Sequence, residues 1–194
     1  MTNIQMILIV LGAFLIGSIP FSFLITKLAV NKDIQTMGSA DPGATNVYRS
    51  LNFKYGLAVL FLDMSKGFFP VLWATKVSPN SLLVPAVALS LVLGHDFSPF
   101  LRFKGGKGVA TSLGVFLVLN TYLTLLVLLI FIVLTISFGL ISFASVIGAV
   151  SFPIFAYVLK MDDYIYLAIV LAVLIVVKHH SNLKRLWHGK EKRI

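Results

Sequence analysis

Three short polar segments interrupt a largely apolar chain, and they contain most of the residues that could do chemistry. The first, residues 38–49, combines glycines, hydroxyls and an amide with the guanidinium of Arg49. Glycine lets a ligand approach the backbone closely, and a planar guanidinium matches the geometry of a phosphate. The same segment would suit a turn with helix caps, because Ser39, Asp41 and Asn46 are common there. Taken alone, it leaves both interpretations open.

The second polar segment, residues 94–111, contains the run Lys-Gly-Gly-Lys-Gly at residues 104–108, directly before a predicted helix. Backbone N–H groups, the positive end of that helix and two ammonium groups could bind one anion. The run is not a P-loop, because Lys107 is followed by glycine rather than by serine or threonine. A flexible basic loop touching acidic lipids would explain the lysines but not three glycines among them. We therefore favour phosphate binding.

The third polar segment, residues 179–191, is a basic tail that contains three histidines. His179 and Asn182 are three residues apart, so they would share one face of a continuous helix. A tail rich in Lys and Arg is usually a cytoplasmic anchor, and Trp187 would suit the membrane interface. Taken alone, this segment favours the anchor interpretation.

Asp63 and Lys66 lie within an apolar stretch and are also three residues apart. Ionisable groups are costly inside a membrane span unless they have a partner or face a polar cavity. We therefore predict that they pair with each other and face the site. Snorkelling of Lys66 to the interface is the alternative.

The composition indicates what must position these segments. Apolar residues make up 58% of the 194 residues and charged residues only 12%, against about 45–50% and 25% in soluble domains. We therefore predict an all-α integral membrane protein, with residues 1–194 forming a single transmembrane catalytic domain. The absence of cysteine excludes disulfides, thiolate zinc sites, iron–sulfur clusters and cysteine nucleophiles.

The distribution of charge predicts the topology. Residues 108–159 contain no charged residue and could cross the membrane two or three times. With three crossings, one face carries thirteen Lys and Arg residues and the other carries only Lys76 and Lys160. Because cytoplasmic loops are enriched in Lys and Arg, we predict about seven helices, the N-terminus and Asn80 outside, and the C-terminus inside. The predicted spans are residues 4–25, 55–75, 82–94, three within 108–159 that break near 120–121 and 139–142, and 164–177.

The predicted site is cationic, cytoplasmic and half in lipid, which suits an enzyme that joins a soluble phosphorylated molecule to a lipid-soluble one. No carboxylate pair or Ser-His-Asp set is evident, and the four histidines lack a zinc-ligand pattern. No histidine has an acidic residue five positions later. The absence of this spacing excludes the H-x-x-x-x-D pair of acyltransferases that use CoA or a carrier protein.

Together, these segments resemble the motifs of a known family. Residues 38–49 resemble the first motif of the bacterial acylphosphate-dependent glycerol-3-phosphate acyltransferases. Residues 94–111 and 179–191 are similar to their second and third motifs, and Asp63-x-x-Lys66-Gly67 and residues 142–145 also match. The resemblance covers nearly the whole chain, with its motifs in order.

The chain departs from the family pattern at two places. Ala40 and Asp41 stand where the family usually has glycine and asparagine. Ser98 precedes Pro99, whereas the proline is usual one position earlier. The change at Asp41 places a negative charge beside the expected phosphate site.

The resemblance implies transfer of a fatty acyl chain from an acyl-phosphate to the sn-1 hydroxyl of glycerol 3-phosphate. The products would be lysophosphatidic acid and inorganic phosphate, in the first step of phospholipid biosynthesis. It also implies a monomer in the bacterial plasma membrane with its active site facing the cytoplasm, in contact with membrane lipids. No metal, cofactor or nucleic acid would be needed.

The roles expected from the resemblance fall into two groups. The expected catalytic residues are Ser39, Asn46, Arg49, His179 and Asn182. The expected substrate-binding residues are Thr45, Lys66, Lys104, Gly105, Gly106, Lys107, Gly108 and Ser142, with the three glycines as backbone donors. Glu191 is expected to be structural and to pair with Lys or Arg of the tail.

Two other functions remain open from the residues. A transporter for a phosphorylated solute would also use lysines and glycines at a broken helix, but the outer face offers almost no polar residues. A phosphatidyltransferase acting on CDP-linked lipids would need a carboxylate-rich metal motif, and the chain has only seven acidic residues.

Overall fold

The computed structural model describes residues 1–78, 82–161 and 163–194, so Asn80 lies outside the described residues. Within these ranges the chain is all-helical, as predicted. The α-helices are α1 (Asn3–Ser18), α2 (Phe21–Val30), α3 (Ala44–Ser50), α4 (Phe53–Val77), α5 (Leu83–Asp96), α6 (Val109–Leu119), α7 (Thr121–Phe138), α8 (Ile141–Val158), α9 (Ile165–Lys178) and α10 (His180–Trp187). Two short 3-10 helices are Ile34–Thr36, just before the first polar segment, and Pro99–Leu101, within the second.

Helix boundaries follow ordinary capping chemistry. The Thr2 hydroxyl and the Gln5 side chain form a capping box at the start of α1. Asn52 and Asn120 accept hydrogen bonds from the first turns of α4 and α7. Gly139 ends α7 with a φ of 69°, a left-handed conformation that glycine adopts without steric cost. These caps confirm the breaks predicted near residues 120–121 and 139–142.

Within the part of the chain that the structure describes, five helical segments are long and apolar enough to cross a membrane: Asn3–Val30, Phe53–Val77, Leu83–Leu101, Thr121–Phe138 and Ile141–Val158. A sixth is obtained if α9 and α10, which are bent by 59° relative to each other, count as one span. The prediction of seven also requires α6, which has only 11 residues. At about 1.5 Å per residue, α6 is shorter than the roughly 30 Å hydrocarbon core.

The chain forms two compact units, Met1–Val118 and Leu119–Ile194. In the first unit, α1 packs closely on α5, because a side chain at Gly17 would overlap Leu91 and one at Gly94 would overlap Phe14. Gly67 of α4 and Gly114 of α6 allow the same close approach between these two helices. The position of α6 then fixes where the preceding loop, residues 104–108, enters it.

In the second unit, α8 packs against both α7 and α9. Its buried face carries the small residues Ala144, Ser145 and Gly148, which suit close packing between helices. Many large apolar side chains of α7 and α9 are exposed, including Leu129, Ile136 and Val173. Such exposed apolar faces fit a lipid environment rather than water.

Candidate active site

Residues 38–49 form a turn that is held together by the side chain of Asn46. The Asn46 Oδ1 atom accepts a hydrogen bond from the backbone N–H of Ser39 at 2.9 Å, and its Nδ2 atom donates to the Met37 carbonyl at 3.0 Å. Gly38 adopts a φ of 59° and packs directly against this amide. Asn46 is 3% exposed. These bonds give Asn46 a structural role in the turn, and its expected role in orienting substrate remains a prediction.

The other expected residues of this turn remain near the surface. The Ser39 side chain is exposed, and Thr45 is half-buried in the first turn of α3. Arg49 is half-buried in the last turn of the same helix. Beneath them, Ile34, Val47 and Val59 form a small buried core. This core anchors α3, which carries Arg49, to the N-terminal part of α4.

The second polar segment approaches α6 through an unusual backbone path. Arg102 and Phe103 both have left-handed φ values, of 53° and 62°, a region that is uncommon outside glycine. The Ser98 hydroxyl, which is buried, donates to the Ser18 carbonyl at 2.6 Å. Ser98 therefore joins the end of α1 to the segment, in the place where the family usually has proline.

We call residues 104–108 the glycine loop. The backbone N–H of Gly106 donates to the His95 carbonyl at 3.0 Å, and the expected use of this N–H for phosphate remains a prediction. Gly108 has a φ of 72° and lies beside the buried Asp96 carboxylate at the start of α6. The positive end of α6 thus already faces an acidic side chain. Gly105 and Gly108 also remain predicted backbone donors.

The two lysines of the glycine loop have different surroundings. The Lys104 side chain is exposed, and its backbone carbonyl accepts a hydrogen bond from Gln35 Nε2 at 3.0 Å. The Lys107 Nζ atom lies 2.6 Å from Asp41 Oδ2. Because both are partly exposed, this ion pair is screened by solvent. The Asp41–Lys107 pair connects the first polar segment to the glycine loop, and the Gln35 hydrogen bond connects the 3-10 helix Ile34–Thr36 to it.

The predicted pairing of Asp63 and Lys66 is confirmed. Lys66 Nζ lies 2.8 Å from Asp63 Oδ1 and donates to the Ile19 carbonyl at 3.0 Å. The two residues are only 2% and 5% exposed. The ammonium group of Lys66 thus serves the packing of α4, and its expected role in phosphate binding remains a prediction. His95 Nδ1 lies 3.6 Å from the same carboxylate oxygen.

In the second unit, the helix that was expected to present His179 and Asn182 on one face is broken. α9 ends at Lys178 and α10 begins at His180, with His179 as the cap residue between them. Both side chains are nevertheless buried. His179 Nδ1 lies 2.7 Å from the Ile175 carbonyl oxygen. Because a carbonyl only accepts, this contact places a proton on Nδ1, so a neutral ring carries its lone pair on Nε2.

Glu191 organises the third polar segment. Its Oε1 atom accepts hydrogen bonds from Ser142 Oγ at 2.9 Å and Asn182 Nδ2 at 2.6 Å. Its Oε2 atom accepts one from Arg185 Nε at 2.6 Å. Burial raises the pKa of Glu191, but these three hydrogen bonds and the charge of Arg185 outweigh it and hold the pKa below its ordinary value. The expected structural role and the pairing with an arginine of the tail are confirmed.

Two further buried polar residues, which the motifs did not single out, lie at the end of α5. Asp96 is fully buried, and the His95 side chain is nearly so. The available signal was their position, since a histidine and an aspartate directly follow an apolar helix and precede the glycine loop. An acidic residue so close to a membrane span usually has a functional or structural partner. Among the described residues, no group of three His, Asp or Glu side chains is arranged to hold a metal ion.

Comparison with known proteins identifies the family. The family model described as glycerol-3-phosphate acyltransferase matches residues 7–189. A glycerol-3-phosphate acyltransferase of Geotalea daltonii is 42% identical over 186 residues, which cover 95% of each chain. One of Maridesulfovibrio salexigens is 44% identical over 182 residues and 92% of each chain.

Two solved structures share the fold. Both are crystal structures of PlsY (YgiH), an integral membrane glycerol 3-phosphate acyltransferase. The glycerol 3-phosphate form has a TM-score of 0.92 and 38% identity, covering 98% of this chain and 96% of that one. The lysophosphatidic acid form has a TM-score of 0.89 and 37% identity, covering 98% and 95%. The chain described here is therefore an integral membrane protein that belongs to the glycerol-3-phosphate acyltransferase family.

Proposed function

We propose that this enzyme transfers a fatty acyl chain from an acyl-phosphate to the sn-1 hydroxyl of glycerol 3-phosphate. The products are lysophosphatidic acid and inorganic phosphate. The observation that carries the proposal is a loop with two lysines and three glycines in a chain whose solved relatives are described with glycerol 3-phosphate and with lysophosphatidic acid. Both the donor and the acceptor then bring a phosphate that needs cationic partners.

The first unit supplies the phosphate-binding groups. Arg49 and Lys104 have side chains that reach the surface or lie half-buried beneath it, and they bind the anionic oxygens. Lys107 also contributes, although Asp41 already neutralises part of its charge. Ser39 and Thr45 add hydroxyls from the turn before and within α3. These groups compensate negative charge on substrate and transition state.

The second unit supplies neutral groups that orient the reacting atoms. His179 presents the lone pair of Nε2, which accepts a hydrogen bond from the sn-1 hydroxyl. Glu191 holds Asn182 and Ser142 in place, and the two side chains orient substrate oxygens. Orientation of this kind accelerates a reaction because the reacting groups no longer search for the correct geometry.

The reaction needs no protein nucleophile. The sn-1 oxygen forms an ester bond with the acyl carbon, and the bond between that carbon and the phosphate oxygen breaks with its electron pair on the phosphate. The hydroxyl proton ends on the released phosphate. Because phosphate is a good leaving group, the enzyme mainly binds, orients and neutralises charge.

We further propose that the two compact units act as one catalytic domain in a monomer. Seven crossings, with α6 as a broken span, place the N-terminus outside and the C-terminus in the cytoplasm. The active site then faces the cytoplasm of a bacterial plasma membrane. The basis for this orientation is the excess of thirteen cations over two between the opposite faces.

The donor is tested with purified protein and three acyl donors. With glycerol 3-phosphate and palmitoyl-phosphate, and without added metal, we expect lysophosphatidic acid and an equal amount of inorganic phosphate. Palmitoyl-CoA and palmitoyl-carrier protein should give no product. Product from the thioesters alone would refute the donor while keeping the acyltransferase family. No product from any donor, with uptake of a phosphorylated solute into proteoliposomes, would favour the transporter.

The orientation is tested with single cysteines, since the natural chain has none. Thr36, His188 and Lys160 are exposed. We expect cysteines at positions 36 and 188 to react with an impermeant thiol reagent only from the cytoplasmic side, and one at position 160 only from outside. Labelling of positions 36 and 188 from opposite sides would refute seven crossings.

A further inference from the structure

The glycine loop rests on two consecutive residues at the C-terminal end of α5, His95 and Asp96. The Gly106 N–H donates to the His95 carbonyl at 3.0 Å. Gly105 lies so close to the same residues that an added Cβ would overlap the His95 carbonyl oxygen and sit 2.9 Å from the Asp96 carbonyl carbon. The backbone of the loop therefore packs directly against the C-terminal end of α5.

The His95 ring fills the space beneath Gly106. A Cβ at Gly106 would overlap the Nε2 atom of this ring and would lie 2.8 Å from its Cε1 atom. On its other side, the same Cβ would lie 2.7 Å from the Pro42 carbonyl oxygen. Gly106 is thus enclosed between the ring and the first polar segment. Glycine is required there by space, and not by a ligand alone.

The His95 ring is in turn held by α4. Its Nδ1 atom lies 3.6 Å from Asp63 Oδ1, and the same oxygen pairs with Lys66 at 2.8 Å. Lys66 is anchored by its hydrogen bond to the Ile19 carbonyl. Because all three side chains are buried, the ring orientation is determined by helix packing and not by solvent.

We propose that His95 is a positioning residue for phosphate binding. Asp63 orients its ring, the ring supports Gly106, and this support sets the backbone of the loop that carries Lys104 and Lys107. His95 acts through the loop and does not itself touch substrate. This inference rests on the proposed role of the two lysines in binding the phosphate of glycerol 3-phosphate.

The test uses the complementary shapes of His95 and Gly106. We expect His95→Ala and Gly106→Ala each to raise the KM for glycerol 3-phosphate on the order of tenfold, with kcat changed less than about threefold, because the misplaced loop weakens phosphate binding. In the double variant, removal of the ring relieves the closest overlap of the new methyl group and leaves the approach to the Pro42 carbonyl oxygen. Its KM should therefore be no higher than that of Gly106→Ala alone, instead of the product of both effects.

Two further variants keep the test decisive. Gly12→Ala is the matched control, because an added Cβ there meets no atom within 4 Å, and we expect wild-type kinetics. His95→Gln keeps a polar side chain of similar reach without the rigid ring, and should raise KM at least about threefold if the alanine variant does not fold. Thermal unfolding in detergent identifies variants that fold.

The possible outcomes separate this inference from the proposed function. A folded His95→Ala or His95→Gln protein with wild-type KM would overturn the positioning role, as would independent effects that multiply in the double variant. A fall in kcat at unchanged KM would also overturn it. If the wild-type protein itself forms no lysophosphatidic acid with palmitoyl-phosphate, the proposed function fails instead.

Discussion

The two compact units hold their functional segments by different physical means. In the first unit, the glycine loop is shaped by packing: Gly105, Gly106 and Gly108 lie directly against His95 and Asp96. In the second unit, one carboxylate, that of Glu191, accepts hydrogen bonds from three side chains. A loop held by packing is sensitive to the volume of a substituted side chain. A segment held by one carboxylate is sensitive to charge and pH.

Substitution of Lys104 tests whether the glycine loop binds phosphate through a specific side chain or only through its overall positive charge. We expect the largest effect on kcat/KM here. Lys104→Ala should lower kcat/KM by roughly 30- to 1000-fold, because loss of the ammonium group removes about 2–4 kcal/mol of transition-state stabilisation. Steady-state kinetics in detergent measures this effect. Arg102→Ala removes an exposed cation two residues earlier and should stay within about threefold of wild type. Equal losses in both variants would show that only the overall charge matters.

Glu191 tests whether one carboxylate organises the second unit. Glu191→Ala removes the acceptor for Ser142, Asn182 and Arg185, and we expect kcat/KM to fall by about 10- to 100-fold, since hydrogen bonds to charged groups contribute about 1.5–3 kcal/mol each. Lys190→Ala, at the exposed neighbouring position, is the control and should be near normal. Unchanged kinetics in Glu191→Ala would mean that Asn182 and Ser142 keep their positions without the carboxylate.

The pH dependence of stability tests whether the charge of Glu191 stabilises the second unit. The folded-state pKa of Glu191 is lowered from an ordinary value of 4.5. Its ionised form therefore stabilises the fold fully above about pH 4.5, and this contribution is lost as the pH falls from there through the lowered pKa. We expect the Tm difference between wild type and Glu191→Gln to shrink as the pH is lowered below 4.5. A difference that is constant between pH 3 and pH 7 would exclude a role for the charge.

Asp41 should give the smallest effect and sharpens the role of Lys107. Asp41→Asn keeps the size of the side chain but removes the carboxylate that lies 2.6 Å from the Lys107 ammonium. Removal of this negative charge beside the phosphate-binding loop should lower the KM for glycerol 3-phosphate by up to about fivefold, since a partly exposed ion pair contributes about 0–1 kcal/mol. Lys107→Gln/Asp41→Asn should lose this gain. A higher KM in Asp41→Asn would instead show that Asp41 holds Lys107 in place.

Some residues of the predicted site also bond to the surrounding framework. Asn46 and Lys66 match a substrate-binding pattern, yet their polar atoms bind the Met37 and Ile19 carbonyls. Nothing in their spacing distinguishes a group that faces a ligand from one that faces a buried carbonyl. That distinction depends on which helix packs beside them, and it becomes visible only in three dimensions.

Local chemistry was enough to predict the helical membrane fold, the helix breaks at Asn120 and Gly139, and the Asp63–Lys66 pair. These features depend on hydropathy, on capping residues and on neighbours three positions apart, all of which lie within a few residues of one another. The tertiary structure alone decided that His95 supports Gly106, that Asp41 pairs with Lys107 and that Ser142 binds Glu191. These partners are separated by many residues, so their contacts arise only when whole helices pack. Spacing along the sequence therefore does not predict them.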